Sequence, residues 1–532
     1  IFPAVALAMV CATSCNDLDT LPQGQYITSE QKGEAIEANP ELAKSGVIAI
    51  SSNFIPFCQT YTTEQHNDFG WPASMIYLDH HASDMVGLNL GYNWFIEACE
   101  MSGIKSNGQC TAISWYTLYR QIDSANAVLE NIDSETTDSQ LMFFRSQALA
   151  MRANAYFILA QMYQHTYKGH ESMPCVPIID LENRATAAVD GAARKTVQEV
   201  YDFIINDINN AIDDLRNCGI TPAGVIDSGA KRLVSLGTAL GIRARVNLVM
   251  QNWAAAAQDA REAISVSGAT PYSIEEVSHP TFQKMTEHAW MWGIYVDEQN
   301  RLVTSGIINW PSHMGSLNYG YASAGAWRLI DINLYNKIPD TDIRKGWFLD
   351  ENGESANLTP AQQAYASDEA GIPPYAQVKF APYQDVIYQA TNANDIPLMR
   401  VEEMYLIEAE ATAMGGNAEG GRKLLEDFVK TYRNPDYTVR ATTPVDVQDA
   451  VWLQRRIEFW GEGISFFDLV RLRKGIDRRG AGWEKEYVYV IEPGSQINVY
   501  MIPQSETNRN PLIKSTDNNP SVGRPTAVGD YQ

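Results

Sequence analysis

The 532-residue chain is 45% hydrophobic and 20% charged, a globular composition that excludes a disordered, collagen-like or purely coiled-coil polymer. Forty Lys and Arg against 64 Asp and Glu leave a formal net charge of −24, and the longest basic stretch is 471–474, so a phosphate backbone repels this chain. Mean hydropathy is −0.25, and no uninterrupted apolar run approaches the ~18 residues of a membrane-spanning helix.

Residues 1–10, IFPAVALAMV, have the length and apolarity of a signal-peptide core. They carry no initial Met and no basic leader, so the sequence reads as starting inside a signal. Ala12-Thr13-Ser14 then sets small residues before Cys15, an arrangement similar to a bacterial lipobox with Ala where Leu is usual. Cys11, behind the branched Val10, is a poorer candidate. On this reading 1–14 is a partial signal peptide and Cys15 is acylated, each buried CH₂ adding about 0.8 kcal/mol to the anchor. A plain secretory signal beside an incidental cysteine is the alternative. The other cysteines, Cys58, Cys99, Cys110, Cys175 and Cys218, are too few for a disulfide framework and form no zinc pattern. Cys99 and Cys110 are the pair able to close a loop; the rest read as small buried hydrophobes.

Ile113, Tyr116, Tyr119, Ile122, Leu129 and Ile132 mark one helix. Leu141, Phe144, Ala148, Met151, Ala155, Ile158 and Met162 mark the next, as a stripe spaced by three and four. The polar turn 133–138 makes them an antiparallel pair. Further helices are expected over 200–215, 236–250, 253–264, 398–414, 418–432, 445–460 and 464–472. Small residues at the contacts (Ala256, Ala257, Ala260 and Ala263) make these pairs similar to tetratricopeptide (TPR) units of about 34 residues. The helical signal fades over 53–107 and over 270–394, where Pro and Gly accumulate. The expected fold is mainly α, a TPR-containing α–α superhelical scaffold with an irregular, loop-rich ligand-binding lobe. Its expected parts are 15–270, the lobe 271–395, and 396–532, which completes the scaffold.

Four stretches recur in a recognisable order. RSQALAMRANAYF at 145–157 leads to Val176-Pro177-Ile178, and LMRVEEMYLIEAEA occupies 398–411. RRIEFWGEGISFFDLVR occupies 455–471, and Ile502-Pro503-Gln504-Ser505-Glu506 precedes Asn510-Pro511. They resemble the early helix with its VPL segment, the LRxAExYLxxAEA helix, the ERxxELxxEGxRxFDLxR segment and the IPxxE…NP close of the SusD/RagB family. Those are starch-utilisation-type outer-membrane lipoproteins, and the resemblance spans essentially everything after Cys15. Ser465 departs from it, standing where the family usually has Arg or another long side chain. The resemblance implies surface exposure at the outer membrane, glycan capture, and docking onto a SusC-like TonB-dependent transporter.

The sequence offers little for catalysis. There is no GxSxG, P-loop or GxGxxG, so nucleophilic and nucleotide chemistries have no foothold. Glu458 and Glu462, four apart, and Asp468, amid Arg455, Arg456, Arg471 and Arg473, read as a structural ion-pair network joining two helices, because guanidiniums lower carboxyl pKa values and make poor acids of them. His80 and His81, read as extended, would point opposite ways and lack the HExxH arrangement, so no metal or cofactor is expected. Binding accounts for more. Trp290, Trp292, Trp310 and Trp327, with Tyr295, Tyr319 and Tyr321, gather where helical periodicity is absent. A flat ring covers the CH face of a pyranose, while Asp, Asn and Arg bind its hydroxyls. The competing reading packs these rings in the lobe's own core. The resemblance adds an early loop with Asp79, Asp84, Asn89, Asn93 and Trp94. The expected function is a non-catalytic, surface-anchored glycan-binding lipoprotein that delivers oligosaccharides or polysaccharides to the transporter. A TPR-type protein- or peptide-interaction component and a glycoside hydrolase are the alternatives.

Overall fold

The computed structural model describes residues 28–88 and 93–529. Cys15 and Asn89, together with the signal and tether, lie outside the described residues. Helices pack in chain order, each against the next: Gln109–Leu129, Ser139–Tyr163, Val197–Cys218, Leu236–Met250 and Trp253–Ser267, then Val401–Met414, Ala418–Tyr432 and Pro444–Glu458. Trp253–Ser267 and Val401–Met414 are direct neighbours, so the scaffold continues in space across the whole inserted lobe. The fold is mainly α, a TPR-type array of helix pairs.

Local chemistry fixes the helix ends. The Asp138 side chain accepts the N–H groups of Gln140 and Leu141, and Thr196 forms a capping box with Glu199. Thr443 does the same with Asp446 ahead of Pro444, whose missing N–H costs nothing at a first turn. Small residues set the spacing. A Cβ on Gly421 would lie 2.5 Å from the Ala409 carbonyl oxygen, so the two helices meet there at backbone contact.

Ser139–Tyr163 is buried on nearly every side from Leu141 onward, broader than the single stripe its spacing suggests. Its arginines are matched by the next helix. Arg152 donates to both Asp207 oxygens (2.7 and 2.8 Å) and Arg145 to both Asp214 oxygens (2.8 and 2.6 Å). By length and composition Ala230–Met250 is apolar enough to cross a membrane, which a search for uninterrupted apolar runs passes over. Here most of it is buried inside the scaffold.

Two expectations change. Trp71–Ala82, within the stretch read as irregular, is a helix whose every residue is buried. With no polar face it shows no amphipathic period, and it carries His80 and His81 in its last turn. Leu398–Arg400, read as helix, belongs to strand β4 (Ile396–Arg400). Pro397 favours extended backbone before it, and the helix starts at Val401.

Two antiparallel ribbons tie the lobe to its flanks. β1 (Met85–Gly87) pairs with β3 (Arg328–Ile330), and β2 (Trp290–Ile294) pairs with β4. The lobe shares one hydrophobic core with the scaffold. Cys99 and Cys110 are free thiols, as are Cys58, Cys175 and Cys218, so the loop they were read as able to close is not covalently closed. Burial pushes Cys99 up to about 11 and Cys110 to about 12, too high for a reactive thiolate.

Candidate functional site

The tempting carboxylates lie in the core. Glu458 receives Arg400, Arg433 and Arg344 within 2.8–3.2 Å. Glu462 receives Arg400 at 2.8 Å and Lys379 at 2.6 Å. Burial opposes the Glu458 charge, and the surrounding guanidiniums outweigh it, holding its carboxyl well below the ordinary value. The same burial brings the Lys379 ammonium down to about 8 despite Glu462. This is an ion-pair network: Arg455 and Arg471 bind Asp468 at 2.7 Å, as the sequence suggests, whereas Glu458 and Glu462 take their partners from outside the segment, Arg456 binds Asp84, and Arg473 donates to the Lys168 carbonyl.

Three of the four lobe indoles are also core. Trp290, Trp292 and Trp310 are at most 2% exposed, because β2 runs through the interior and Trp310 opens a buried helical turn, edge-on to Phe380. Trp290 Nε1 donates to the Tyr272 hydroxyl (2.7 Å) and Trp292 Nε1 to the Arg232 carbonyl (3.2 Å). Their assignment to a ligand is corrected accordingly. Asp79, also buried, accepts from the Gly463 N–H at 2.9 Å. Asp84 is held by Arg456 and Ser465. Asn93 donates to the Leu88 carbonyl and accepts from the Phe95 N–H. The two histidines are likewise engaged, His80 with the Met85 carbonyl and His81 with Asn498. Among the described residues no three His, Cys, Asp or Glu side chains gather as a metal site.

What remains near the surface converges. The β1–β3 register pairs Gly87 with Arg328, next to Trp327 in the chain. Trp94, His66, Tyr321 and Trp327 are all half-buried. Trp94 stacks on His66 with centroids 4.8 Å apart and planes at 13°. Trp94 Nε1 lies 3.1 Å from the Tyr321 hydroxyl, which lies 2.5 Å from His66 Nδ1. An indole N–H only donates, so the Tyr321 oxygen accepts from Trp94 and shares a second hydrogen bond with His66 Nδ1. Burial favours the neutral imidazole by lowering the His66 pKa, against the pull of Glu64.

Beneath, His313 stacks on Tyr321 at 4.5 Å and 10°, and on Phe69 at 5.5 Å and 17°. Its Nε2–H donates to the His66 carbonyl (2.9 Å). Gly320 makes the approach possible: its φ of +152° and a Cβ that would lie 2.2 Å from Ser312 Oγ admit no side chain. On the far side of the turn that begins at Tyr321, Tyr319 and Tyr388 meet edge to face at 5.2 Å. They are 37% and 53% exposed, the solvent-facing end of the group. Of the sequence-derived candidates, then, the structure brings Trp94 and Tyr321 into contact, with Tyr319 two residues away across Gly320; Trp327 is half-buried, its Nε1 covered and without a hydrogen-bond partner among the described residues. His66 and Tyr388 were missed; a lone histidine in a polar stretch and a tyrosine in a loop carry no periodic signal.

The comparisons with known proteins follow the same lines. A family model described as "Starch-binding associating with outer membrane" matches residues 61–218, and the SusD family model matches 333–520. The chain belongs to the SusD/RagB family. A SusD-like protein of Bacteroides ovatus is 21% identical over 511 residues, covering 88% of this chain and 81% of that one. A SusD-like carbohydrate binding protein from Bacteroides vulgatus superposes with a TM-score of 0.72 at 24% identity, over 90% of this chain and 98% of that one. Surface glycan-binding protein A from Bacteroides thetaiotaomicron, solved in complex with laminarihexaose, gives 0.65 at 16% identity, over 90% and 99%. At these identities the superpositions establish the fold this SusD/RagB chain shares with them.

Proposed function

We propose that this SusD/RagB protein is a non-catalytic glycan-binding lipoprotein, anchored through Cys15 at the outer membrane, that captures oligosaccharides or polysaccharides for a SusC-like TonB-dependent transporter. The observation that carries the binding part is the Trp94–His66–Tyr321 group. Two loops 227 residues apart in sequence meet in a ring platform held by its own hydrogen bonds, so little ordering entropy is spent when a sugar arrives. Trp94 and Tyr321 offer apolar faces or edges to sugar CH groups, and His66 Nε2, Tyr319 and Tyr388 offer polar partners for hydroxyls. Family membership and the carbohydrate-binding neighbours support the same reading. The lipid anchor is supported by the small residues Ala12-Thr13-Ser14 ahead of Cys15, and the transporter by the family resemblance.

A non-catalytic role is supported by the buried, arginine-bound state of Glu458 and Glu462, which leaves neither free to protonate a glycosidic oxygen. The test is calorimetry across neutral and acidic plant, host and microbial glycans, with reducing-sugar release measured in parallel. Binding without release is the expected result. Release of reducing sugar establishes a hydrolase, and no binding by any glycan removes the central reading. Co-purification with a transporter from native membranes tests the partner, and mass spectrometry of the acylated N-terminus tests Cys15.

A further inference from the structure

The β1–β3 ribbon has a second functional end. Its register sets Gly87 and Arg328, next to Trp327, at one end, and Met85 and Ile330, next to Asp84 and Asp331, at the other, where the Asp331 N–H donates to the Asp84 carbonyl (3.0 Å). At about 3.3 Å per residue, the step from Trp327 to Asp331 spans roughly 13 Å. Asp331 opens onto a pocket of about 270 Å³ that Asp84, Lys337, Trp452, Arg456 and Ser465 also line. Drug-sized pockets start near 300 Å³ (roughly 300–1,000 Å³), so there is room for one small ring and not for a chain.

The polar atoms are arranged for a ligand. Asp331 is 5% exposed. Its Oδ1 accepts the N–H groups of Asn333 (2.7 Å) and Leu334 (3.1 Å), while its Oδ2 has no hydrogen-bond partner among the described residues. Burial, with the Asp84 carboxylate next, pushes this carboxyl up to about 6, which leaves it largely ionised at neutral pH. Arg456 spends Nε and Nη2 on Asp84 (2.9 and 2.5 Å), and its Nη1 has no hydrogen-bond partner among the described residues. Ser465 Oγ donates to Asp84 Oδ2 at 2.9 Å; its shortness leaves the pocket open where a long side chain would fill it. Trp452 forms an apolar wall, with Arg456 and Lys474 over its ring at 4.9 and 5.0 Å.

The charges nearly cancel. Arg456 answers Asp84, Asp477 holds Arg479 at 2.6 Å, and exposed Lys337 lines the same pocket as Asp331. A carboxylate ligand would meet Asp84 and Asp331, and an amine would meet Arg456. A neutral polyol, donor and acceptor at once, offends neither. We infer that this pocket binds a single neutral sugar ring, with hydroxyls on Asp331 Oδ2 and Arg456 Nη1 and an apolar edge against Trp452, at a site separate from the aromatic platform. It stands whether or not the platform binds glycan.

Saturation-transfer NMR and calorimetry on the full chain with glucose, galactose, mannose and xylose test it. At least one of these sugars should saturate in the millimolar range. Asp331→Asn, which keeps the helix cap and loses the charge, should weaken it about tenfold or more, the loss of a charge-assisted hydrogen bond. Trp452→Ala should weaken it as well, with circular dichroism reporting whether that variant folds; if it does not, Asp331→Asn decides alone. No saturation by any of the sugars overturns the proposal, as does unchanged affinity in Asp331→Asn. A loss that follows Trp94→Ala and spares Asp331→Asn assigns the sugar to the platform and overturns it too.

Discussion

Two sets of aromatic rings in this SusD/RagB protein look alike in sequence and differ in what surrounds them. Trp290, Trp292 and Trp310 lie in the interior, the first two with their N–H groups bonded inward. Trp94, His66 and Tyr321 bond to one another at a half-exposed surface. In the first set the rings fill volume. In the second, the hydrogen bonds fix ring orientation without needing the rings covered. An indole's role is set by which elements close over it, and clustering in sequence does not report that.

The largest test of this comparison is Trp310→Ala. Loss of a sealed indole should cost about 3–5 kcal/mol of stability, read by chemical denaturation, while glycan affinity of the folded fraction stays at the wild-type value. An affinity loss with intact stability would reverse the assignment. Trp94→Ala should do the opposite. The dissociation constant for a binding glycan should rise about tenfold (~1.4 kcal/mol), with the melting temperature nearly unchanged.

Tyr321→Phe keeps the ring and deletes the hydroxyl between Trp94 and His66. Its cost should be about 0.5–1.5 kcal/mol in affinity, visible as a several-fold weaker constant; no change would mean that the shared hydroxyl does not organise the platform. The smallest effect is expected from pH. His66 has its pKa lowered by burial, so the folded platform favours neutral imidazole. The organisation it provides is complete above the ordinary histidine value of about 6.5 and is lost as pH falls through the lowered one. Glycan affinity should be flat from neutral to mildly alkaline pH and decline on acidification, and His66→Asn should flatten that decline.

The scaffold was legible because helix pairs announce themselves locally. The stripe from Leu141 to Met162, the turn at 133–138 and Thr443 ahead of Pro444 each act within a few residues, and the helices lie where they indicate. Trp71–Ala82 escaped because a helix buried on all sides has no polar face to mark a period. Leu398–Arg400 was misread because pairing with β2, a long-range contact, competes with local helical preference.

Sequence by itself determined the helical array, its order, the family and the ionic character of the Glu458 neighbourhood, since these follow from local periodicity and from motifs in fixed order. Tertiary structure alone decided which rings are covered, which arginine answers which carboxylate, and that His66 joins Trp94 and Tyr321. The physical reason is that burial and ion pairing depend on contacts between segments far apart in the chain. Spacing within a segment records which face a residue occupies and carries no record of what packs against it.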